Sequence, residues 1–91
     1  YPPFQVLVRI LCTGPETEVQ AHAHSIAAYL REHGVHPGQL YGPSPAPISR
    51  IKGRHRWQIV VKGEWGSLFS QLPESPSNVY TTIDVDPLFL L

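Results

Sequence analysis

Apolar and polar residues alternate with a period of two in three segments of the chain. These segments run from Phe4 to Cys12, from Arg56 to Lys62 and from Val79 to Asp86. A period of two is typical of β-strands, because successive side chains of a strand point to opposite faces of the sheet. The pattern therefore predicts a strand near the start of the chain, one in its second half and one near its end.

Between the first two strands the apolar period changes to that of a helix. One stripe is apolar throughout and consists of Val19, Ala23, Ile26, Ala27 and Leu30. At the start of this helix, Thr13 and Glu16 fit a capping box, and alternatively Pro15 takes the first helical position. Gly34 suits the left-handed residue that ends many helices. We predict a helix over residues 15–33.

The middle of the chain contains a proline run that interrupts any regular pattern. Residues 39–41 are predicted to form a short strand, and Pro43, Pro45 and Pro47 follow within five residues. Because proline cannot donate a hydrogen bond to a sheet, we expect polyproline-like backbone that holds the next loop away from the body. Further on, residues 64–72 are predicted to form a short helix with Trp65, Leu68, Phe69 and Leu72 facing inward, although Gly66 weakens it.

The predicted order is strand, helix, strand, strand, helix, strand. This βαββαβ order favours an α+β fold, a two-layer split βαβ sandwich in which two helices cover one face of a four-stranded sheet. The first and third strands are expected at the centre, with the fourth beside the first. The 91 residues suit a single domain. Since the chain begins at Tyr1 and has no methionine, we expect it to be a fragment of a larger chain.

The uncovered face of this sheet is predicted to mix apolar and charged side chains. Its members would be Leu7, Arg9, Leu11, Arg56, Gln58, Val60, Lys62, Tyr80, Thr82 and Asp84. Such a mixture suggests an interface with another domain. The candidate docking residues are Tyr1, Phe4, Arg9, Gln58 and Lys62. Across neighbouring strands, Arg9 is predicted to pair with Asp84 or Asp86.

Charge is distributed unevenly, although the formal net charge is zero. Residues 50–62 hold five of the seven basic residues and no acidic residue. A segment of one sign points to a polyanionic partner, whereas loops of arginine and lysine are also often merely solvated. Trp57, at the end of this segment, fits either base stacking or packing in the core. This segment is predicted to be a basic loop that leads directly into a core strand. The candidate nucleic-acid-binding residues are Arg50, Lys52, Arg54, His55 and Arg56.

No catalytic or metal-binding pattern is recognised. Cys12 stands alone on the predicted core face, so no disulfide forms within the chain and an inert thiol is expected. His22 and His24 are two residues apart on the helix, which is not a ligand spacing, and both are expected to be solvated. Asp84 and Asp86 project from one face, so a catalytic carboxylate pair is conceivable, but a structural role is expected. We therefore expect no enzyme activity, no bound metal and no membrane partner.

Three motifs resemble one known family. They are YPPF at the start, GPSPAPISRIKGRHRWQIVVK in the middle and IDVDP near the end. In this order and spacing they resemble the C-terminal domain of PriA, the bacterial primosomal protein N′ or replication-restart DNA helicase. The resemblance spans nearly the whole chain and departs from the family at residues 64–78, which are short and carry no basic residue.

The resemblance implies a DNA-binding and docking domain that supports primosome assembly. Its expected partners are forked or single-stranded DNA, the helicase domains of the same parent chain, the single-strand binding protein and other primosome proteins. ATP, magnesium and zinc are expected only in other domains of the parent, and the cytoplasm and nucleoid are the expected location. The alternative function is a protein–protein docking module that binds an acidic partner surface without contacting DNA.

Overall fold

A computed structural model describes residues 7–63 and 66–85 of the chain. Its elements are β1 (Leu7–Gly14), α1 (Glu16–Glu32), a 3-10 turn (Pro37–Gln39), β2 (Leu40–Ile51), β3 (Arg54–Lys62), α2 (Gly66–Phe69) and β4 (Tyr80–Val85). The four strands form one antiparallel sheet in the order β2-β3-β1-β4. This confirms the predicted α+β class and strand order. The predictions that concern Tyr1, Phe4, Trp65 and Asp86 lie outside the described residues.

The core lies between α1 and one face of the sheet. Alternate residues of β1 (Val8, Ile10, Cys12) and of β3 (Ile59, Val61) are buried there. The predicted apolar stripe of α1 is buried against them at every position. The periodicity of the sequence therefore identified the core. Within the described residues, no helix is long and apolar enough to cross a membrane.

The predicted start of α1 is wrong, whereas the residue predicted to end it is confirmed. Pro15 is the N-cap residue, no side chain caps the first turn, and Thr13 lies within β1. Both predicted helix starts are therefore wrong, because β1 runs one residue past Thr13 and leaves only Pro15 between strand and helix. At the other end Gly34 has a φ of +105°, as predicted for a left-handed residue after the helix.

α2 is much shorter than the predicted helix over residues 64–72. It contains only four residues, Gly66 to Phe69, and the chain turns at Ser70. A glycine at its start contributes little helix propensity, so few turns form. Leu68, Phe69 and Leu72 nevertheless pack against the core, as predicted, and the Tyr29 hydroxyl of α1 donates a hydrogen bond to the Leu68 carbonyl oxygen at 3.0 Å.

The proline run lies inside β2, and the prediction of polyproline backbone outside the sheet is wrong. β2 is an edge strand, where a missing N–H donor costs nothing on the outer side. Its pairing with β3 shifts between Tyr41 and Ser44 and again between Pro45 and Arg50. Pro43 and Pro47 lie within these shifts, whereas Pro45 pairs with Trp57. The run therefore lies along β3 and does not hold a loop away from the body.

Candidate nucleic-acid interface

The basic segment forms a β-hairpin and not the predicted loop. Ile51 at the end of β2 pairs with Arg54 at the start of β3, so only Lys52 and Gly53 form the turn. Their φ angles are +52° and +79°. Positive φ at both central residues is the hairpin turn that matches the twist of the flanking strands. The cations are thus held on regular backbone, and only Lys52 belongs to the turn.

Strand alternation divides the basic residues between the two faces of the sheet. Arg56 pairs with Thr13, and Arg54 lies two residues before it on the same face, which is the face opposite α1. Arg50 pairs with His55, and these two lie on the face that α1 covers. What the sequence presents as one patch is therefore two groups of cations with Lys52 at the tip between them.

The arginines of the hairpin differ in what they contact. Arg56 is half-buried, and its Nη1 donates a hydrogen bond to the Ile48 carbonyl oxygen at 2.8 Å, which ties the irregular part of β2 to β3. Arg54 is exposed, and its Nη2 lies 3.5 Å from the Asn78 carbonyl oxygen, at the limit of hydrogen bonding. Arg56 therefore has a structural role, and Arg54 can reorient at little cost.

Arg50 and Lys52 are exposed cations. Neither side chain makes a hydrogen bond or an ion pair within residues 7–63 and 66–85. Exposed cations of this kind keep their full hydration and can exchange it for a phosphate. Among the four predicted binding arginines and lysines, they are the two that make no hydrogen bond or ion pair in the described part of the chain.

Two grooves flank the hairpin, one on each face. The open-face groove has a volume of about 460 Å³ and is lined by Thr13, Arg54, Ser77, Asn78, Val79 and Tyr80. The helix-face groove has a volume of about 400 Å³ and is lined by Glu16, Gln20, Pro45, Ser49, Arg50, His55 and Trp57. Each groove thus contains one arginine of the hairpin and one aromatic side chain.

Trp57 packs as a core residue and also borders the helix-face groove. It is half-buried and contacts the core cluster, and its ring centroid lies 6.0 Å from that of His24. This confirms the packing role that its position in the strand indicates. A stacking role for the same ring stays a prediction.

The predicted docking residues lie toward the other end of the open face. Arg9 Nη2 is 3.4 Å from Asp84 Oδ2, and the two residues face each other across β1 and β4. This confirms the predicted pair. Lys62 Nζ lies 5.6 Å from the centroid of the Tyr41 ring, and Gln58 is half-buried. A docking role for Arg9, Gln58 and Lys62 stays a prediction.

His22 is buried, and the prediction that it is solvated is wrong. Only 5% of the residue is exposed, and its Nε2 lies 3.2 Å from Ser75 Oγ. That oxygen lies 2.8 Å from Thr81 Oγ1, which in turn donates to Cys12 Sγ at 3.9 Å. Burial lowers the pKa of His22 below its ordinary value. The sequence contained the signal, since position 22 lies three residues after Val19 on the buried stripe.

Cys12 and His24 are the other residues considered for chemistry, and they differ in burial. Cys12 is fully buried, and burial raises the pKa of its thiol despite the contact with Thr81, so the thiolate is disfavoured. His24 is exposed, as predicted. Among the residues that the structure describes, no three histidine, cysteine or acidic side chains come together as metal ligands would.

Comparison with known proteins identifies relatives along the whole chain. Residues 1–88 match the family model described as "Primosomal protein N C-terminal domain". "Replication restart protein PriA" from Synechocystis is 38% identical over 96 residues, which cover 97% of this chain and 11% of that protein. The protein of the same name from Bacillus subtilis is 28% identical over 102 residues, which cover 100% of this chain and 13% of that protein. The chain thus corresponds to only a small part of these relatives.

Proposed function

Because the chain belongs to the primosomal protein N C-terminal domain family of replication restart proteins, we propose that it binds forked or single-stranded DNA. In this proposal it is also the docking domain of a larger protein, supports primosome assembly and catalyses no reaction itself. Its partners are the helicase domains of the same parent chain, the single-strand binding protein and other primosome proteins. ATP, magnesium and zinc belong to other domains of the parent, in the cytoplasm of a bacterium.

The observation that carries this proposal is the charge of the β2–β3 hairpin. Arg50, Lys52, Arg54 and Arg56 lie on it, and no acidic residue occurs in residues 50–62. A two-residue turn holds these cations on regular strands, so their spacing is set before a ligand binds. Arginine and lysine neutralise phosphates and release counterions, which gives binding that depends little on base sequence. His55 lies beside Arg50 and adds a further donor.

Removing two exposed arginines of the hairpin tests the proposal. The variant Arg50→Ala/Arg54→Ala is expected to bind forked DNA more weakly and to reduce the magnitude of the salt slope by about 1.4 on single strands. Fluorescence anisotropy of a labelled fork gives the affinity, and the same titration of a labelled single strand at several salt concentrations gives the slope. Arg31→Ala is the control, because it removes an exposed cation from the end of α1 and should leave the affinity nearly unchanged. Equal affinities for the wild type and the double variant would refute DNA binding by the hairpin.

Apolar side chains beside the cations favour a second candidate function. Ile48 and Ile51 of β2 are exposed large hydrophobic residues. Such residues next to uncompensated cations suit a protein partner with an acidic and apolar surface. In that case Arg50→Ala/Arg54→Ala loses binding to the helicase domains of the parent while DNA affinity is unchanged. Measuring both affinities with the same variant separates the two functions.

A further inference from the structure

Tyr80 is an exposed aromatic residue without a packing role in the described structure. It is the first residue of β4, an edge strand, and 67% of its surface is exposed. It pairs with Thr13 of β1, and Thr13 pairs on its other side with Arg56 of β3. Within residues 7–63 and 66–85 the Tyr80 hydroxyl makes no hydrogen bond. An aromatic ring thus lies on the open face in the same row as a hairpin cation.

Arg54 and Tyr80 line the same groove. The open-face groove has a volume of about 460 Å³, which lies in the range of sites for small ligands. Thr13 adds a hydroxyl group, and the segment from Ser77 to Val79 adds backbone groups. The Arg54 guanidinium is positioned only by the long contact of 3.5 Å to Asn78, so it can turn toward a phosphate. A cation and an aromatic ring therefore meet at one accessible site.

Charge distinguishes this groove from the one on the other face. The described residues that line the open-face groove include no acid, and Arg56 lies in the same row as Thr13 and Tyr80. The helix-face groove is lined by both Arg50 and Glu16, and the carboxylate of Glu16 repels a phosphate. Its aromatic residue, Trp57, is half-buried in the core, so less of its ring is accessible than that of Tyr80. For a polyanion with an exposed base, the open-face groove is the better match.

We propose that the open-face groove binds one unpaired nucleotide of single-stranded DNA, with the base stacked on Tyr80 and a backbone phosphate held by Arg54. This rests on the proposed function and deepens it, because it selects the face of the hairpin that the strand contacts. A paired base is stacked within the duplex and cannot reach a tyrosine on a sheet surface, whereas an unpaired base can. The site therefore prefers single strands to duplex at equal charge.

Removing the base and removing the ring test the same contact from its two sides. The probes are a short oligothymidine and an abasic oligomer of the same length. Tyr80→Val is expected to lower affinity for oligothymidine about 5-fold or more, the effect of losing one stacked base, and to leave affinity for the abasic oligomer unchanged. Valine keeps the strand preference of the position, and Tyr80→Phe should bind as the wild type does. Arg54→Ala should weaken binding of both oligomers.

Matched controls come from the same sheet. Tyr41→Val removes a tyrosine that is 48% exposed on the open face at the other end of the sheet, and it should not change either affinity. Thermal unfolding of every variant establishes that it is folded. The subsite is overturned if Tyr80→Val binds oligothymidine as tightly as the wild type, or if it loses equal affinity for both oligomers. Failure of the wild type to bind forked DNA as well as both oligomers would instead reject the proposed DNA binding itself.

Discussion

The side chain of His22 connects α1 to the opposite edge of the sheet through hydroxyl groups. Its contact with Ser75 leads through Thr81 of β4 to Cys12 of β1. Buried polar groups cost free energy unless they are hydrogen-bonded, and here each has a partner. The imidazole thereby connects the loop before β4 to the helix. The neutral form of the ring fits this site, because burial disfavours its charge.

The lowered pKa of His22 makes the stability of the domain dependent on pH. Because the unfolded chain binds a proton near the ordinary value of 6.5 and the folded chain binds it only at lower pH, the free energy of unfolding should fall as pH decreases below 6.5. Urea unfolding between about pH 5 and pH 7 measures this slope. The variant His22→Gln lacks the titrating imidazole, so its free energy of unfolding should depend much less on pH. The same slope in both proteins would show that His22 does not cause it.

Single residues were predictable wherever strand alternation and topology determined their faces. The pairing of Arg9 with Asp84 follows from alternation in β1 and β4 and from the position of β4 beside β1. The polarity of His22 favours a solvated side chain, whereas its helical position places it on the buried stripe, and the position determines its burial. Tyr80 was assigned to the correct face, but its place beside Arg54 depends on the path of residues 77–79, which no periodicity determines.

Among the elements, β2 shows how an edge strand can contain prolines. Ser44 and Pro45 pair with Gln58 and Trp57, and register shifts lie on both sides of this short ladder. Gly42 adopts a φ of +100°, and a Cβ atom there would lie 2.7 Å from the Gln58 carbonyl oxygen. The hydrogen bond from Arg56 to the Ile48 carbonyl oxygen stabilises the backbone at the second register shift. Composition could not predict this strand, because proline is excluded only where a backbone donor is needed.

The hairpin turn should be sensitive to substitution of its glycine. Gly53→Ala is expected to lower the free energy of unfolding by about 1–2 kcal/mol, because an L-residue at a φ of +79° brings its Cβ close to its own backbone. Apart from Gly53 and its two chain neighbours, no atom of the described residues lies within 4 Å of that Cβ position, so the cost is conformational. Urea unfolding gives the difference.

Gly66→Ala is the matched control for this prediction. The space around Gly66 is equally open, but its φ is not in the left-handed region, so alanine should be neutral or stabilising by up to about 1 kcal/mol in α2. If both alanine variants change the free energy of unfolding alike, the left-handed φ of Gly53 does not account for the effect of Gly53→Ala.

On the scale of the whole molecule, the sheet separates cations with ionic or aromatic partners from the exposed cations of the hairpin, among which Arg54 makes only the long contact to Asn78 within the described residues. Arg9 pairs with Asp84, and Lys62 lies over the Tyr41 ring, both toward one end of the sheet. Arg50, Lys52 and Arg54 lie at the hairpin, at the other end. The sequence predicted the excess of positive charge but not its division between two faces, which depends on the start of β3 at Arg54. The chain spans 11% and 13% of the length of these two relatives.

The dependence of DNA affinity on salt tests the central claim most directly. If Arg50, Lys52 and Arg54 each neutralise one phosphate, the logarithm of the association constant for single-stranded DNA should fall against the logarithm of salt concentration with a slope of about −2. Engagement of Arg56 and Lys62 as well would make the slope about −3.5.

The variant Arg50→Ala/Lys52→Asn/Arg54→Ala provides the comparison within the same measurement. Asparagine suits the positive φ of Lys52, so the turn is retained while its charge is removed. We expect the magnitude of the slope to decrease by about 2 relative to the wild type. A flat salt response of the wild type, or equal slopes for the two proteins, would contradict DNA binding through the hairpin.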